Sequence, residues 1–208
     1  MISTKFDEEN KLVSFEYQSK LKGADNNILS CTFEQFDQFD IASQFLVVIC
    51  GENPTYLNVR KDITDAKYLQ LQQNQSSIQS IDQLLQKELN LIALVNQKYR
   101  KSSKSWSYRY SIFSKLSDII QKASLAIELI KKEVNFCNHC NIYEPRNYYI
   151  WTYRLQIIAL AWNTLSSSMF KKLVQEEIFS INEHLKKQPK DSSAQHYVDQ
   201  IKSDYNQD

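Results

Sequence analysis

The sequence predicts an all-α fold, a solenoid of helical hairpins, on three observations. Glycine and proline are scarce, with 2 and 3 in 208 residues. Apolar residues from Ile81 onward recur in steps of three and four. A Trp-x-x-Arg pair, Trp106 with Arg109 and Trp151 with Arg154, repeats 45 positions apart.

The first observation excludes as much as it predicts. Tight β-hairpin turns need glycine, so a sandwich or barrel lacks its turn chemistry. Phosphate-cradling loops need several glycines for close backbone approach, and only Gly23 and Gly51 exist, which removes the dinucleotide and Walker-type motifs. Basic and acidic residues number 25 and 24, leaving +1 and no pull toward nucleic acid or an anionic membrane. No apolar run approaches the ~20 residues of a membrane span. The opening Met1 to Glu9 turns acidic before any apolar stretch, so a cytoplasmic protein without a secretory signal is expected, with Cys31, Cys50, Cys137 and Cys140 reduced.

Helices are expected near 3–21, 32–50, 55–70, 78–100, 103–115, 118–136, 147–164, 167–187 and 191–204. Residues 1–44 read as an N-terminal helical cap and 45–208 as the repeat body. The glutamine-rich stretch Gln70 to Gln79 resembles a loop or frayed helix end. Ile81, Leu84, Leu85, Leu91, Ile92, Val95 and Tyr99 form one helical stripe. Leu116, Ile119, Ile120, Ala123, Ile127, Ile130 and Val134 form another, with Ser117-Asp118 as its N-cap. Pro145 and Pro189 mark later helix starts, where a missing N–H costs nothing.

The repeat has four units. Trp106 aligns on Trp151, and Gln195 and Val198 hold the Trp and Arg places of the next copy; Leu57 and Arg60 hold them in an earlier one. Eighteen positions before the Trp place stand Glu88, Glu133 and Glu177, each on the preceding helix. Arg109 and Arg154 lie three residues after their Trp, hence in the apolar stripe, where a charge is tolerable only when paired. A Glu–Arg tie inside each hairpin is therefore expected, with a guanidinium fork on a carboxylate.

The unit, a Glu-bearing helix followed by [Pro]-Lys/Arg-x-Tyr-x-x-Trp-x-x-Arg, resembles the repeat of protein prenyltransferase α subunits. Pro145 to Arg154 is the best match, Lys101 to Arg109 the second, and Leu57 to Lys61 and Pro189 to Tyr197 are weaker. The chain from Phe45 onward looks like a divergent branch beside the farnesyl-, geranylgeranyl- and Rab-type α subunits. The resemblance implies a TPR-like α-α superhelix of antiparallel helix pairs that wraps a β subunit. That partner would carry the catalytic zinc, with magnesium as an optional addition, and the lipid cavity; this chain would hold no cofactor. The other implied partners are a prenyl diphosphate at the subunit interface and a cysteine-bearing protein substrate. By the same resemblance Lys101 is the catalytic donor toward the leaving diphosphate, and Asn147, Arg146 and Tyr149 could reach the same anion. A positioned ammonium stabilises a leaving diphosphate more in the transition state than in the ground state. The competing expectation is a helical-repeat adaptor with no enzymatic role.

Other constellations carry less. Cys137-Asn138-His139-Cys140 is a lone C-x-x-C without a second ligand pair, read as ordinary thiols in an inter-helix loop, and no metal site is expected. The three histidines have no triad-like neighbours, so hydrolase chemistry lacks support. The 12 Tyr, 10 Phe and 3 Trp are read as core rather than as base-stacking platforms.

Overall fold

A computed structural model describes residues 2–7, 12–17, 28–120 and 123–205. The chain divides into two compact units, 1–84 and 85–208, each taken by itself.

The first unit opens with three strands, β1 (Ile2–Asp7), β2 (Leu12–Tyr17) and β3 (Ile28–Thr32), paired antiparallel in the order β1-β2-β3. This corrects the expected helix over 3–21 and the helical character of the 1–44 cap. The reason is a period of two in the sequence. Val13 to Glu16 alternates apolar and polar residues, and the register sets Thr4 opposite Phe15 and Phe6 opposite Val13, with Val13 opposite Cys31 and Phe15 opposite Leu29. Helix α1 (Phe33–Ile49) follows, then α2 (Pro54–Gln73). Asn53 caps α2, its side-chain oxygen accepting from Thr55 N at 2.9 Å, and Pro54 stands in the first turn, where no donor is lost. Arg60 of α2 is 3% exposed and donates to Oδ1 of Asp40 on α1 at 2.5 Å; Lys67 Nζ lies 2.8 Å from Asp40 Oδ2.

From residue 33 on, the described chain is all-α, eight helices in four successive pairs, as a solenoid of helical hairpins requires. Helix α3 (Ile78–Lys98) straddles the unit boundary and is followed by α4 (Ser103–Ile119), α5 (Ala123–Tyr143), α6 (Tyr148–Thr164), α7 (Ser167–Lys187) and α8 (Ser192–Tyr205). Glu88 meets Tyr108 while Asn96 meets Ser105, so α3 and α4 run antiparallel. Within the second unit α4 packs on α6 and α6 on α8, so the second helices of successive pairs stack in one layer. Val95, Ile112, Phe113, Leu116, Ile157 and Ile158 are fully covered in this core.

Two boundaries differ from expectation. Ser117 and Asp118 lie in the last turn of α4 rather than ahead of a helix; α4 runs to Ile119 and α5 starts at Ala123, so the stripe from Leu116 to Val134 belongs to two helices. Pro145 and Pro189 stand two residues before the caps Asn147 and Asp191, not in the first turn, so they stiffen the approach instead of tolerating a lost bond. Among the described residues no helix is long and apolar enough to cross a membrane.

Candidate functional site

All seven predicted signature residues are buried. Glu88, Glu133 and Glu177 are 1%, 3% and 3% exposed, Arg109 and Arg154 are 4% and 0%, and Trp106 and Trp151 are 3% each. Arg109 and Arg154 do form forked ion pairs, but forward rather than inside their own hairpin. Arg109 donates through Nε and Nη2 to Glu133 of the next pair, the second bond 2.9 Å long. Arg154 donates to both oxygens of Glu177 at 2.7 and 2.6 Å. The hairpin's own Glu is taken instead by a tyrosine: Tyr108 donates to Glu88 at 2.7 Å, Tyr153 to Glu133 at 2.5 Å, and Tyr197 to Glu177 at 3.2 Å. Each tyrosine stands one residue before the Arg place and twenty after its Glu, and at Glu133 and Glu177 its hydroxyl meets the same carboxylate that the preceding pair's guanidinium reaches. In α1 and α2 the Arg60–Asp40 pair does lie inside one hairpin.

Electrostatics follow this geometry. Burial works hardest against the Arg109 and Arg154 charges, yet the fields and hydrogen bonds of Glu133 and Glu177 outweigh it and raise both guanidinium pKa values. Burial, reinforced by those carboxylates, pushes the Tyr153 and Tyr197 phenols far up, so both remain hydrogen-bond donors. The indoles pack forward as well. Trp106 lies 5.2 Å from the Tyr153 ring and 6.0 Å from Phe136, and Trp151 lies 5.3 Å from both His184 and Tyr197.

The expected anion-facing residues cluster at the turns between paired helices. Ser102 caps α4, accepting from Ser105 N at 3.3 Å. Asn147 caps α6 by accepting from Tyr149 N at 3.1 Å, and its Nδ2 donates 2.7 Å to the Arg100 carbonyl. That carbonyl also accepts the Trp106 indole N–H at 2.8 Å. Asp191 caps α8 through Ala194 N at 3.0 Å and accepts from Arg146 N at 3.3 Å. Successive turns are thereby tied, Asn147 reaching back to the turn at Arg100 and Asp191 to the turn at Arg146.

Lys101 points to solvent, its side chain 65% exposed, and its Nζ lies 2.8 Å from Oε1 of Glu144. Arg146 is exposed and Tyr149 half-buried, at the same turn. Asn147 differs from expectation. It is 1% exposed with oxygen and nitrogen both committed to backbone, so it positions the turn and is not free to meet a diphosphate.

Cys137 and Cys140 lie within α5, not in a loop, and both are buried. Burial raises both thiols, Cys140 to about 11, with Glu133 adding to the rise and Arg109 opposing it at Cys140. Such thiols stay protonated and unreactive at neutral pH. Among the described residues no group of three His, Cys, Asp or Glu could hold a metal. A cleft of about 390 Å³ lies between α6 and α8, lined by Tyr148, Trp151, Leu155, Ser193, His196 and Gln200 among others. What the geometry offers chemically is a cationic, hydrogen-bonding turn edge above a buried ion-pair ladder.

Residues 130–161, which hold Glu133, Trp151 and Arg154, match the family model described as protein prenyltransferase alpha subunit repeat. Over these residues the chain is similar to a prenyltransferase α-subunit repeat. The match covers most of α5 and most of α6, the pair whose sequence carries the signature in full. No curated protein matches the chain.

Sequence reasoning overlooked two sets of residues in this site. The tyrosines were detectable, because Tyr108, Tyr153 and Tyr197 recur two positions after the Trp place at the same period. Glu144 was not, since Tyr99 and Gln188 hold its equivalent places and no repetition marks it.

Proposed function

We propose that this chain is the α-type, non-zinc subunit of a heterodimeric protein prenyltransferase, assisting transfer of a farnesyl or geranylgeranyl group to a protein cysteine in the cytoplasm. The observation that carries the reading is the matched repeat at 130–161, whose Glu, Trp and Arg hold stacked helix pairs together. The β partner would hold the zinc, the lipid and the substrate thiolate. This chain would supply the supporting surface and, at its turn edge, Lys101 toward the leaving diphosphate. Lys101 is exposed and cationic, as a donor to an external anion must be. Asn147 would act by holding the Lys101 turn against the Asn147 turn, with Arg146 and Tyr149 beside it.

Co-purification tests the assignment. A prenyltransferase β subunit should be recovered with the chain under mild conditions, and Lys101→Ala in the reconstituted pair should slow single-turnover transfer about 100- to 1000-fold, the scale of a lost transition-state donor. The burial of Asn147 favours a second reading, a non-enzymatic repeat adaptor whose diphosphate edge has become structural. An unchanged transfer rate in Lys101→Ala, or no β subunit recovered, decides for that reading.

A further inference from the structure

The turn after α5 places a carboxylate where the proposed anion would sit. Glu144 directs Oε1 to Lys101 Nζ at 2.8 Å and Oε2 toward Arg100 Nη1 at 3.9 Å. Two oxygens of one anion shared between two cations of the preceding turn is the geometry a phosphoryl group would adopt there. Resting on the proposed role of Lys101, we propose that Glu144 is a gating counter-ion, which occupies the anion place in the unliganded chain and is displaced by an incoming diphosphate.

The local structure allows that exchange without rearranging the backbone. Pro145 fixes φ immediately after Glu144, and Arg146 holds a left-handed φ of 63° with its N–H on Asp191. Asn147 then ties the turn to the Arg100 carbonyl. The Glu144 side chain is 28% exposed and Lys101 is 65% exposed, so rotation about the Glu144 side-chain bonds carries its carboxylate into water with no opening of the core. Exposed ion pairs are weak, so a multiply charged anion can displace this one, while a weak monoanion gains too little to do so. Arg146, two residues on, is exposed and has no ion-pair partner among the described residues. Once Glu144 swings out, Arg100 and Lys101 remain facing the vacated place. The carboxylate therefore acts as a threshold that selects for charge.

The test is titration of the full chain with inorganic pyrophosphate, followed by calorimetry at constant ionic strength, with inorganic phosphate run in parallel. Glu144→Gln should bind pyrophosphate about three- to tenfold tighter than the unmodified chain, since both the competing pair and the repulsion are gone. It should also narrow the preference for pyrophosphate over phosphate, a ratio that a merely structural role would leave alone. Lys101→Ala should weaken binding in either background. Glu144→Gln binding no tighter, while Lys101→Ala still weakens binding, overturns the gate and leaves the Lys101 reading intact. Pyrophosphate binding to neither the unmodified chain nor Glu144→Gln also overturns the gate, and the Lys101 reading then stands or falls on the transfer rate of Lys101→Ala in the reconstituted pair.

Discussion

Glu133 answers to two partners, Arg109 from the pair before it and Tyr153 from its own. Removing its charge strands a buried guanidinium, and losses of about 3–5 kcal/mol are typical of such broken pairs. Glu133→Gln should lower unfolding stability in urea by that amount. On the same helix, Lys131→Gln should cost under about 1 kcal/mol, because the Lys131–Glu176 pair is 46% and 44% exposed. Asp40 gives a pH signature. Burial opposes its charge most, but the Lys67 and Arg60 hydrogen bonds and charges win and lower its pKa. An unfolded aspartate titrates near about 3.9, so Asp40 contributes its stabilisation above that pH and loses it as pH falls through the lower folded value. Asp40→Asn should therefore flatten the acid limb of a stability–pH curve, and an unchanged limb would mean the pair contributes nothing. Residue identity in the buried ladder was legible because Glu, Trp and Arg each recur with the period. Direction was not, since a carboxylate eighteen residues before a Trp can face the guanidinium of either neighbour, and only the competing tyrosines decide which.

At the scale of elements, the turns hold the stack in register. Asn147→Ala removes a helix cap and the bond to the Arg100 carbonyl, and should destabilise by about 1–3 kcal/mol. Asn147→Asp keeps the cap oxygen but offers no donor to that carbonyl, so a loss between zero and the alanine value is expected from thermal unfolding. An aspartate as stabilising as asparagine would show that the tie between turns is idle. Helices from 33 to 205 were legible because their apolar stripes are long and their caps polar. The α4–α5 junction was not, because Ile119 and Ile120 continue the spacing of both helices and no proline or glycine interrupts them. The three strands were missed for a related reason. Five- and six-residue segments with mixed spacing fit a helix stripe as readily as an alternating one, and pairing with a neighbouring strand settles the matter.

Across the whole second unit, the forward ion pairs are the links between successive helix pairs. A repeat array whose stability sits in nearest-neighbour contacts should lose cooperativity where one link is cut. Arg154→Met removes the only guanidinium on Glu177 among the described bonds. Hydrogen exchange read by mass spectrometry should then show α7 and α8 amides exchanging faster than those of α4 and α5. Uniform acceleration along the unit would instead mean that the ion pair stabilises the array as one body.

The forward reach also has a consequence for synthesis. Arg109 emerges from the ribosome 24 residues ahead of the Glu133 that neutralises it, a wait of about 1–5 s at ordinary elongation rates. During that interval the newest hairpin holds an uncompensated cation on a greasy face, which discourages premature closure onto itself and leaves it receptive to the next hairpin alone. Val198 stands where the next such cation would be, so α8 presents a buried apolar side chain at that place and needs no such partner.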